Sequence, residues 1–444
     1  MSACPSDPLF LELEPADLHG STQDPSLEAV NFLNEIMLRH PDAISFAPGA
    51  PYPAFFDEID AGHYIDIYAD HLKNTRALTP RQIIRMVHQY GPSKGLINDL
   101  ISRVLSQDEG LITDPGSIVV TVGCQEAMFL LLRALRSGPG DLIAVVNPCY
   151  VGLIGAARLV DFEVVPIDEN NEGIDLDQLK EACRAASANG KRIKAVYVAP
   201  DHSNPSGTLM PTATRLALLE AAKLHGFLII EDTTYRFTSV QESNTPLVKS
   251  LDNSNRVVLL GTFAKTCTPG ARVGYIVADQ AIRNGSARSK VLADELAALK
   301  TMVTVNTSPI CQAIIGGMLI EHDCSIRRLA ETKTKVYRKN LECLLGGLER
   351  YLRELPQVTW NRPKGGFFAS LRLPRPVDSS LAAFSAQQFG VLWTPMSNFY
   401  IDGRTSYELR LSCSYLSEHQ IDEGLSRLSH FLRHVTNTAR IDIA

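Results

Sequence analysis

Short β-branched apolar segments alternate with amphipathic segments between Ser117 and Phe263, and this alternation constrains the fold more than any other feature of the chain. The segments IAVVN and FLIIED are apolar at successive residues, as in strands that helices cover on both faces of a mainly parallel sheet. The segments between them, such as CQEAMFLLLRAL and TATRLALLEAAKLHG, have the apolar spacing of amphipathic helices. The chain is therefore predicted to contain an α/β domain built from βαβ units.

The pattern changes after about residue 320, where long charged helical segments precede three candidate strands, GGFFASLRLP, FGVLWTP and YELRLSCSY. This change indicates a second, smaller α+β domain. The first 25 or so residues are rich in Pro, Asp and Ser, which is typical of an arm outside the core, and a helical pattern begins near Pro25. We expect three units: an N-terminal arm at 1–25, a large α/β domain at 55–320, and a small α+β domain made of 26–54 together with 321–444.

Composition and charge exclude several function classes. The 444 residues carry a net charge of −6, so the chain gives no sign of the basic face that nucleic acids or anionic membranes favour. No apolar stretch approaches the roughly 18 residues of a membrane-spanning helix, and the N-terminus lacks the pattern of a secretion signal. The nine cysteines are scattered without a CxxC pair, so neither a disulfide framework nor a metal site is indicated. We expect a cytoplasmic protein with reduced thiols that acts on a small molecule.

Polar residues follow four of the predicted strands, at the carboxyl ends where open α/β sheets bind ligands. They form the short segments 123–125, 204–207, 232–235 and 262–265. Each has an ordinary structural explanation when taken alone, because NPSG is a turn sequence, Asp232 can cap a helix and Lys265 can be a solvated loop lysine. Only the occurrence of all four segments in this order indicates a catalytic site.

In this order, and with the stretch GTFAKTCTPGARVGY around Lys265, the four segments resemble the fold-type I enzymes that use pyridoxal 5'-phosphate (PLP), particularly the class I/II aminotransferases. The resemblance extends from about Phe46 to Leu411 and implies the aspartate-aminotransferase-like fold, with a large mainly parallel-sheet domain and a smaller α+β domain. It implies that Lys265 carries the cofactor as a Schiff base and then moves the proton between the substrate's Cα and C4'. A lysine with the ordinary pKa of about 10.4 is mostly protonated, so the site must lower it.

The resemblance also implies how the cofactor is held. Asp232 is the carboxylate beside the pyridine nitrogen, which must stay protonated for the cofactor to withdraw electrons. Asn204 and Tyr235 donate to the 3'-oxygen, and Tyr150 stacks on the ring, the alternative for Tyr150 being a plain core tyrosine. The phosphate lies at the start of the CQEAMFLLLRAL helix, whose positive end attracts anions. Its implied contacts are Gly123, Cys124, Gln125, Thr262 and Arg272, together with Tyr90 of the partner subunit in a homodimer.

For the substrate, Arg410 in YELRLSCS matches the arginine that grips the α-carboxylate as a bidentate fork, the alternative being an exposed strand arginine. The loop APGAPYP resembles the segment that closes over the substrate, with Gly49 approaching by its backbone and Tyr52 pointing inward. Asn204 is expected to contact the substrate as well as the cofactor. Val303 stands where aspartate-type members have an arginine for a distal carboxylate, so a dicarboxylate substrate is disfavoured.

A few positions depart from the family pattern. Cys124 stands where serine or alanine is commoner, and Thr262 and Ala264 replace serines of the lysine motif. These changes predict that backbone amides and Arg272 supply a larger share of the phosphate contacts. His202, which precedes the NPSG segment, either faces the cofactor or ends its strand, and we favour the second interpretation.

The leading functional hypothesis is transamination between an amino acid and a 2-oxo acid, in a homodimer with shared active sites and with neither nucleic acid nor membrane as partner. The alternative within enzymes is elimination or replacement, for example γ-elimination on an S-adenosylmethionine-like substrate, or other quinonoid chemistry. The lysine motif resembles the aminotransferase version more than that of aminocyclopropane-carboxylate synthase. A regulatory protein without turnover is disfavoured, because no helix-turn-helix segment fits in the N-terminal arm and the site residues are all present.

Overall fold

The chain folds around two main β-sheets, a seven-stranded sheet in the centre of the sequence and a four-stranded sheet towards the C-terminus. The computed structural model describes residues 13–24, 38–239, 245–284 and 287–438. The helical pattern predicted to begin near Pro25 falls on 25–37, outside the described residues. Within the described ranges, no helix combines the length and the apolar character that crossing a membrane requires.

The strands form the two sheets and two short pairs. In chain order they are β1 (Ile44–Ser45), β2 (Ile118–Val122), β3 (Asp141–Asn147), β4 (Glu163–Asp168), β5 (Arg192–Val198), β6 (Leu228–Asp232), β7 (Val257–Thr262), β8 (Val273–Val277), β9 (Ala281–Asn284), β10 (Ala287–Val291), β11 (Thr359–Trp360), β12 (Phe368–Arg372), β13 (Val391–Leu392), β14 (Thr394–Pro395) and β15 (Glu408–Ser412).

The helices pack on both sheets. In chain order they are α1 (Ala61–Arg76), α2 (Pro80–His88), α3 (Asn98–Glu109), α4 (Gly123–Leu135), α5 (Val151–Leu159), α6 (Leu176–Ala188), α7 (Thr212–His225), α8 (Val248–Leu251), α9 (Leu292–Val303), α10 (Pro309–Glu321), α11 (Ile326–Leu329), α12 (Glu331–Leu352), α13 (Ser379–Phe389) and α14 (Glu418–Thr438).

The central sheet has the strand order β2-β8-β7-β6-β5-β3-β4. Strands β3 to β7 pair in parallel, which confirms the predicted mainly parallel α/β sheet. Strand β8 is antiparallel to both neighbours, β2 and β7, and the sequence analysis does not identify it. The connection from Thr262 to Val273 is shorter than the dozen or more residues that a parallel crossover needs, so β8 must run back along β7.

Helices cover both faces of the central sheet, which explains why its strands are apolar at successive residues. Along β3, Ile143 and Val145 pack with α4 and α5, whereas Leu142 and Val146 pack with α6 and α7 on the opposite face. Successive side chains of a strand point to opposite faces, so a strand buried on both sides has no polar alternation.

The four-stranded sheet, of order β11-β12-β15-β14, packs against α12 and α14 around a separate apolar core. The short strand β1 pairs with β13, and the Ser412 backbone N–H donates to the Phe46 carbonyl oxygen at 2.8 Å. These contacts attach the segment after β1 to the smaller sheet. On the other side, the Asn361 side chain donates to the Ser206 carbonyl oxygen at 2.6 Å. Loops from the two sheets therefore meet at the carboxyl ends of the parallel strands.

Candidate active site

A cavity of about 330 Å³ lies at this meeting point, between the two sheets. All of the predicted cofactor and substrate residues line it, except Gly123, Tyr52 and Tyr90. The residues that line it are Ala47, Pro48, Gly49, Ala50, Cys124, Gln125, Met128, Tyr150, Tyr197, Ala199, Asn204, Asp232, Thr234, Tyr235, Thr262, Ala264, Lys265, Arg272 and Arg410. Segments far apart in the sequence thus converge because parallel strands end at one edge of the sheet.

Lys265 lies in the loop after β7, and its amine reaches into the cavity. Its Nζ donates a hydrogen bond to the Gly49 carbonyl oxygen at 2.8 Å. Burial, with help from the positive charges of Arg272 and Arg410, lowers the pKa of Lys265 to about 8, against a smaller opposing effect of Asp232. About a tenth of the amine is therefore neutral at pH 7, far more than for an ordinary lysine, and the neutral form is the one that a nucleophile or general base requires.

Asp232 is the last residue of β6, and its carboxylate is buried and held by three hydrogen bonds. Its Oδ1 accepts from the Thr234 backbone N–H at 2.9 Å and from the Thr234 hydroxyl at 2.6 Å. Its Oδ2 accepts from the Tyr197 hydroxyl at 2.7 Å. Burial raises the pKa of Asp232, while the bonds from Thr234 and Tyr197 and the charge of Lys265 act in the opposite direction. A neighbouring cation bound in the cavity would stabilise the ionised form.

Arg410, on β15, is joined to the cavity's polar residues by a chain of hydrogen bonds. Its Nη1 donates to Asn204 Oδ1 at 2.6 Å, and the Asn204 amide donates to the Tyr235 hydroxyl at 3.3 Å. Its guanidinium lies 4.5 Å from the ring centre of Phe368 and 4.9 Å from that of Phe399. These aromatic neighbours hold the fork in one plane, which suits bidentate recognition of a carboxylate. Burial lowers the pKa of Arg410 to about 10, and the group remains a cation at neutral pH.

The opposite end of the cavity is positively charged because α4 begins there and Arg272 lies over its first residue. Gly123 has a φ of +69°, and a Cβ at this position would lie 2.5 Å from Arg272 Nη2. Gly274 on β8 is equally confined, since its Cβ would lie 2.8 Å from the Gly123 carbonyl carbon. Glycine at both positions therefore lets the guanidinium and β8 approach the helix start. Helix N-terminus and guanidinium together form an anion-binding end.

Tyr150 and Gln125 form one wall of the cavity. Tyr150 caps α5, and the Gln125 side chain donates to the Gly152 carbonyl oxygen at 2.6 Å, which ties the start of α5 to the start of α4. Burial raises the pKa of Tyr150 to about 12, so its phenol stays protonated. The ring therefore offers a neutral aromatic surface to a planar ligand.

Besides Gly123, four residues singled out from the sequence are absent from the lining of this cavity. The Tyr52 ring packs edge-on against Phe55, with ring centres 5.6 Å apart. Tyr90 is 80% exposed, and Val303 is half exposed. His202 is buried beside the cavity's far wall, where its Nε2 lies 2.7 Å from the Ser239 hydroxyl, and it lines a separate cavity instead. Strand β5 ends at Val198, four residues before His202, so His202 neither ends that strand nor lines this cavity.

Tyr197 and Thr234 are polar cavity residues that received no role from the sequence, although Thr234 lies in the polar segment 232–235. Tyr197 stands inside the apolar strand KAVYV, and its apolar neighbours in the sequence predict a residue of the hydrophobic core. The available signal is its hydroxyl, because a buried hydroxyl near the carboxyl end of a strand requires a partner. Thr234 follows Asp232 by two residues, the spacing at which an aspartate carboxylate accepts from a backbone N–H in a turn.

Comparisons of three kinds with known proteins each cover most of the chain. A sequence profile of the family described as "Aminotransferase class I and II" matches residues 65–428. The (S)-3,5-dihydroxyphenylglycine transaminase of Amycolatopsis orientalis is 45% identical over 422 residues, 95% of this chain and 95% of that protein. Aromatic-amino-acid aminotransferase 1 of Thermococcus litoralis is 29% identical over 399 residues, 88% of each chain. The solved structure of the α-aminoadipate aminotransferase of Thermus thermophilus, complexed with N-(5'-phosphopyridoxyl)-L-leucine, is similar with a TM-score of 0.75 and 26% identity, covering 95% of this chain and 100% of that chain.

Proposed function

Because the chain belongs to the class I and II aminotransferases, which use PLP, we propose that it transfers the amino group of an aromatic amino acid to a 2-oxo acid in the cavity described above. The enzyme is a PLP-dependent aminotransferase, and the proposal concerns its substrate and the roles of its residues. The observation that carries the substrate assignment is that, among the described residues, four charged side chains line the cavity, and the proposal assigns each of them to the cofactor or to the α-carboxylate.

The residues of the cavity fit PLP at three points. The Lys265 amine suits the cofactor's aldehyde, the Asp232 carboxylate suits a protonated ring nitrogen, and the Arg272 end suits a phosphate. Bound PLP supplies an aldehyde for amino groups and a protonated ring that withdraws electrons from the substrate's Cα. The cavity's polar groups thus match the cofactor's charges from one end to the other.

In the proposed reaction, the Lys265 amine would hold the cofactor, and the same amine would remove the proton from the substrate's Cα. Its pKa of about 8 leaves part of the amine unprotonated near neutral pH, which is the form that accepts a proton. The same Nζ would then deliver the proton to C4'. Tyr150 and Ala199, which line the cavity, help to enclose the reacting atoms and exclude water.

Arg410 binds the substrate's α-carboxylate in this proposal. Its Nη1 and Nη2 now donate to Asn204 Oδ1 and to the Ala47 carbonyl oxygen, each at 2.6 Å, so both arms of the fork are directed by acceptors at the cavity. Its Nε is buried without a hydrogen-bond partner among the described residues. A planar carboxylate would satisfy a guanidinium held in this way.

The substrate's side chain is expected to be uncharged and aromatic. Asp232, Lys265, Arg272 and Arg410 are the charged residues that line the cavity, and none remains in the described part of this chain for a distal carboxylate. The segment 47–50, which faces the cavity, supplies only alanine, proline and glycine. The relative with 45% identity acts, by its name, on a dihydroxyphenylglycine, and the Thermococcus litoralis relative is named for aromatic amino acids.

A panel of amino donors tests the proposed function. The purified enzyme with PLP is mixed with phenylglycine, phenylalanine, tyrosine, aspartate and 2-aminoadipate in turn, and the absorption spectrum is followed. We expect conversion to the pyridoxamine form with the aromatic donors, reversed by a 2-oxo acid, at a kcat/KM at least about 10-fold above that of the dicarboxylates. Faster conversion with aspartate, or release of ammonia without the pyridoxamine form, would contradict the proposal.

We also propose that two copies of the chain form a dimer through one apolar patch. Its exposed members are Tyr90, Met302, Val303, Val305 and Ile310. A hydroxyl contact of 2.7 Å between Ser93 and Thr301 joins the loop after α2 to α9, so the loop that carries Tyr90 lies beside the end of α9 that carries Met302 and Val303. Thr304 donates to Glu126 in the first turn of α4, and the patch therefore lies beside the anion-binding end of the cavity. A second copy seated on the patch would bring its own Tyr90 near that end.

Placing a carboxylate in the apolar patch is expected to separate the subunits. Met302, which is 82% exposed, becomes Asp in the test variant, and Leu224→Asp on α7, where the leucine is 77% exposed, is the matched control. The dimer dissociation constant should rise at least about 100-fold in Met302→Asp, since an unpaired carboxylate buried at an interface costs several kcal/mol. Light scattering after size-exclusion chromatography reports the masses. A dimer that survives in Met302→Asp and separates in Leu224→Asp would place the interface elsewhere.

The proposed enzyme is expected to work in the cytoplasm. The cysteines of the described residues are all free thiols, five of them buried. Reduced thiols of this kind are typical of proteins in a reducing compartment.

A further inference from the structure

The Tyr197 hydroxyl is bonded to the carboxylate that the proposed function assigns to the cofactor's ring nitrogen. We propose that Tyr197 is a positioning residue, which orients the Asp232 carboxylate and keeps it ionised for that nitrogen. The inference rests on the proposed role of Asp232. It concerns a tyrosine that acts through another residue and need not touch the substrate.

The sheet register places the two residues together. Tyr197 on β5 is directly opposite Ile230 on the parallel neighbour β6, and Asp232 follows Ile230 by two residues. Residues two apart on a strand share a face, so Tyr197 and Asp232 point to the same side of the sheet. The phenol is long enough to reach along that face, and its oxygen lies 2.7 Å from Asp232 Oδ2. The pair is thus built into two adjacent central strands and does not depend on a loop.

The hydrogen bonds of Asp232 leave one position open. A carboxylate has about four acceptor positions, two on each oxygen. Thr234 occupies two on Oδ1 through its backbone N–H and its hydroxyl, and Tyr197 occupies one on Oδ2. Asp232 lines the cavity, so the remaining position on Oδ2 is available to a donor bound there. Tyr197 therefore fixes which lone pair meets the ring nitrogen.

Tyr197 remains a donor throughout the working pH range. Burial, together with the charge of Asp232, raises the pKa of the Tyr197 phenol well above its usual value. The hydroxyl cannot become an acceptor for a protonated Asp232 without losing the bond it now makes. Its contribution favours the ionised carboxylate, which burial alone disfavours.

Other groups that face Asp232 do not titrate in the acidic range. They are Cys124, Cys149, Tyr150, Tyr235 and Lys265. Burial raises the pKa of each of these thiols and phenols, and the pKa of Lys265 is about 8. The cofactor's phosphate, with a second pKa of about 6, and the Lys265 amine also gain protons as the pH falls. The Asp232 carboxyl group is therefore identified by the part of the affinity change that Asp232→Asn removes.

The test measures the dissociation constant of PLP for the apoenzyme as a function of pH, from the absorption of the bound cofactor. The ionised carboxylate attracts the protonated ring nitrogen, so affinity is lost as the pH falls through the pKa of Asp232. Tyr197→Phe removes a donor to that carboxylate and raises its pKa. The acidic limb of the curve of PLP affinity against pH, where binding weakens as the pH falls, should therefore move to higher pH by about one unit. A hydrogen bond to a charged group shifts a pKa by about one to two units.

Two further variants make the outcome decisive. Tyr68→Phe is the matched control, since Tyr68 is a buried tyrosine of α1 whose hydroxyl donates to the Leu96 carbonyl oxygen, and its acidic limb should coincide with that of the parent enzyme. An unmoved limb in Tyr197→Phe would overturn the inference and leave Tyr197 as a core residue. Asp232→Asn should remove the part of the acidic limb that Tyr197→Phe moves; an acidic limb that is unchanged in Asp232→Asn would instead overturn the proposed role of Asp232.

Discussion

Replacing Lys265 with alanine is expected to lower kcat for transamination by at least about 10⁴-fold. The substitution removes both the amine that holds the cofactor and the group that moves the proton at Cα, and general acid-base catalysis alone contributes about 10² to 10⁴-fold. No other lysine lines the cavity among the described residues, so no neighbouring amine is placed to substitute. The measurement is single-turnover and steady-state transamination with an aromatic donor.

Lys180→Ala is the control for this prediction. Lys180 lies on α6 and forms an exposed ion pair with Asp177, away from the cavity, so its removal should leave kcat unchanged. Borohydride reduction of the parent enzyme with PLP, followed by peptide mass analysis, should attach the cofactor to Lys265 and to no other lysine. Attachment elsewhere, or normal turnover by Lys265→Ala, would refute the assignment.

Replacing Lys300 with methionine is expected to lower the free energy of unfolding by about 3–5 kcal/mol, because it leaves a buried carboxylate without its counterion. Lys300 is fully buried on α9, and its Nζ lies 2.6 Å from Glu126 Oε2. The Val122 backbone N–H donates to the same oxygen at 2.7 Å, and the Thr304 hydroxyl donates to Oε1 at 2.6 Å. The ion pair therefore holds the start of α4, which forms the anion-binding end of the cavity.

The double variant Glu126→Gln with Lys300→Met separates the charge effect from a packing defect. The glutamine oxygen still accepts from the Val122 backbone N–H, and its amide can donate to the Thr304 hydroxyl, which no longer accepts from Lys300. No unpaired charge remains, so most of the lost stability should return. Chemical denaturation with PLP present gives the free energies for all four proteins of the cycle. If the double variant is as unstable as Lys300→Met, the loss comes from packing, and the ion pair is not what stabilises α4.

Most of the cavity could be predicted because its motifs follow apolar strands. The segments around Cys124, Asn204, Asp232 and Lys265 each lie at the carboxyl end of such a strand or within a few residues after it, and parallel strands end at one edge of a sheet. The resemblance of these segments to a known family then supplied roles that spacing alone could not. Tyr52 was expected in the cavity and packs against Phe55 instead, which a loop sequence without periodicity gives no means to foresee.

The sequence by itself determined the alternation of strands and helices, the burial of the central strands and the position of the polar segments at their ends. These follow from local periodicity, which dictates the faces that each element must bury. The tertiary structure alone decided the contacts that join distant residues. Strand register places Tyr197 beside Asp232, and helix packing brings Lys300 to Glu126, 174 residues away. Packing of the smaller sheet seats Arg410 between Phe368 and Phe399. Such pairings depend on how whole elements pack against each other, and no local pattern in the chain encodes that geometry.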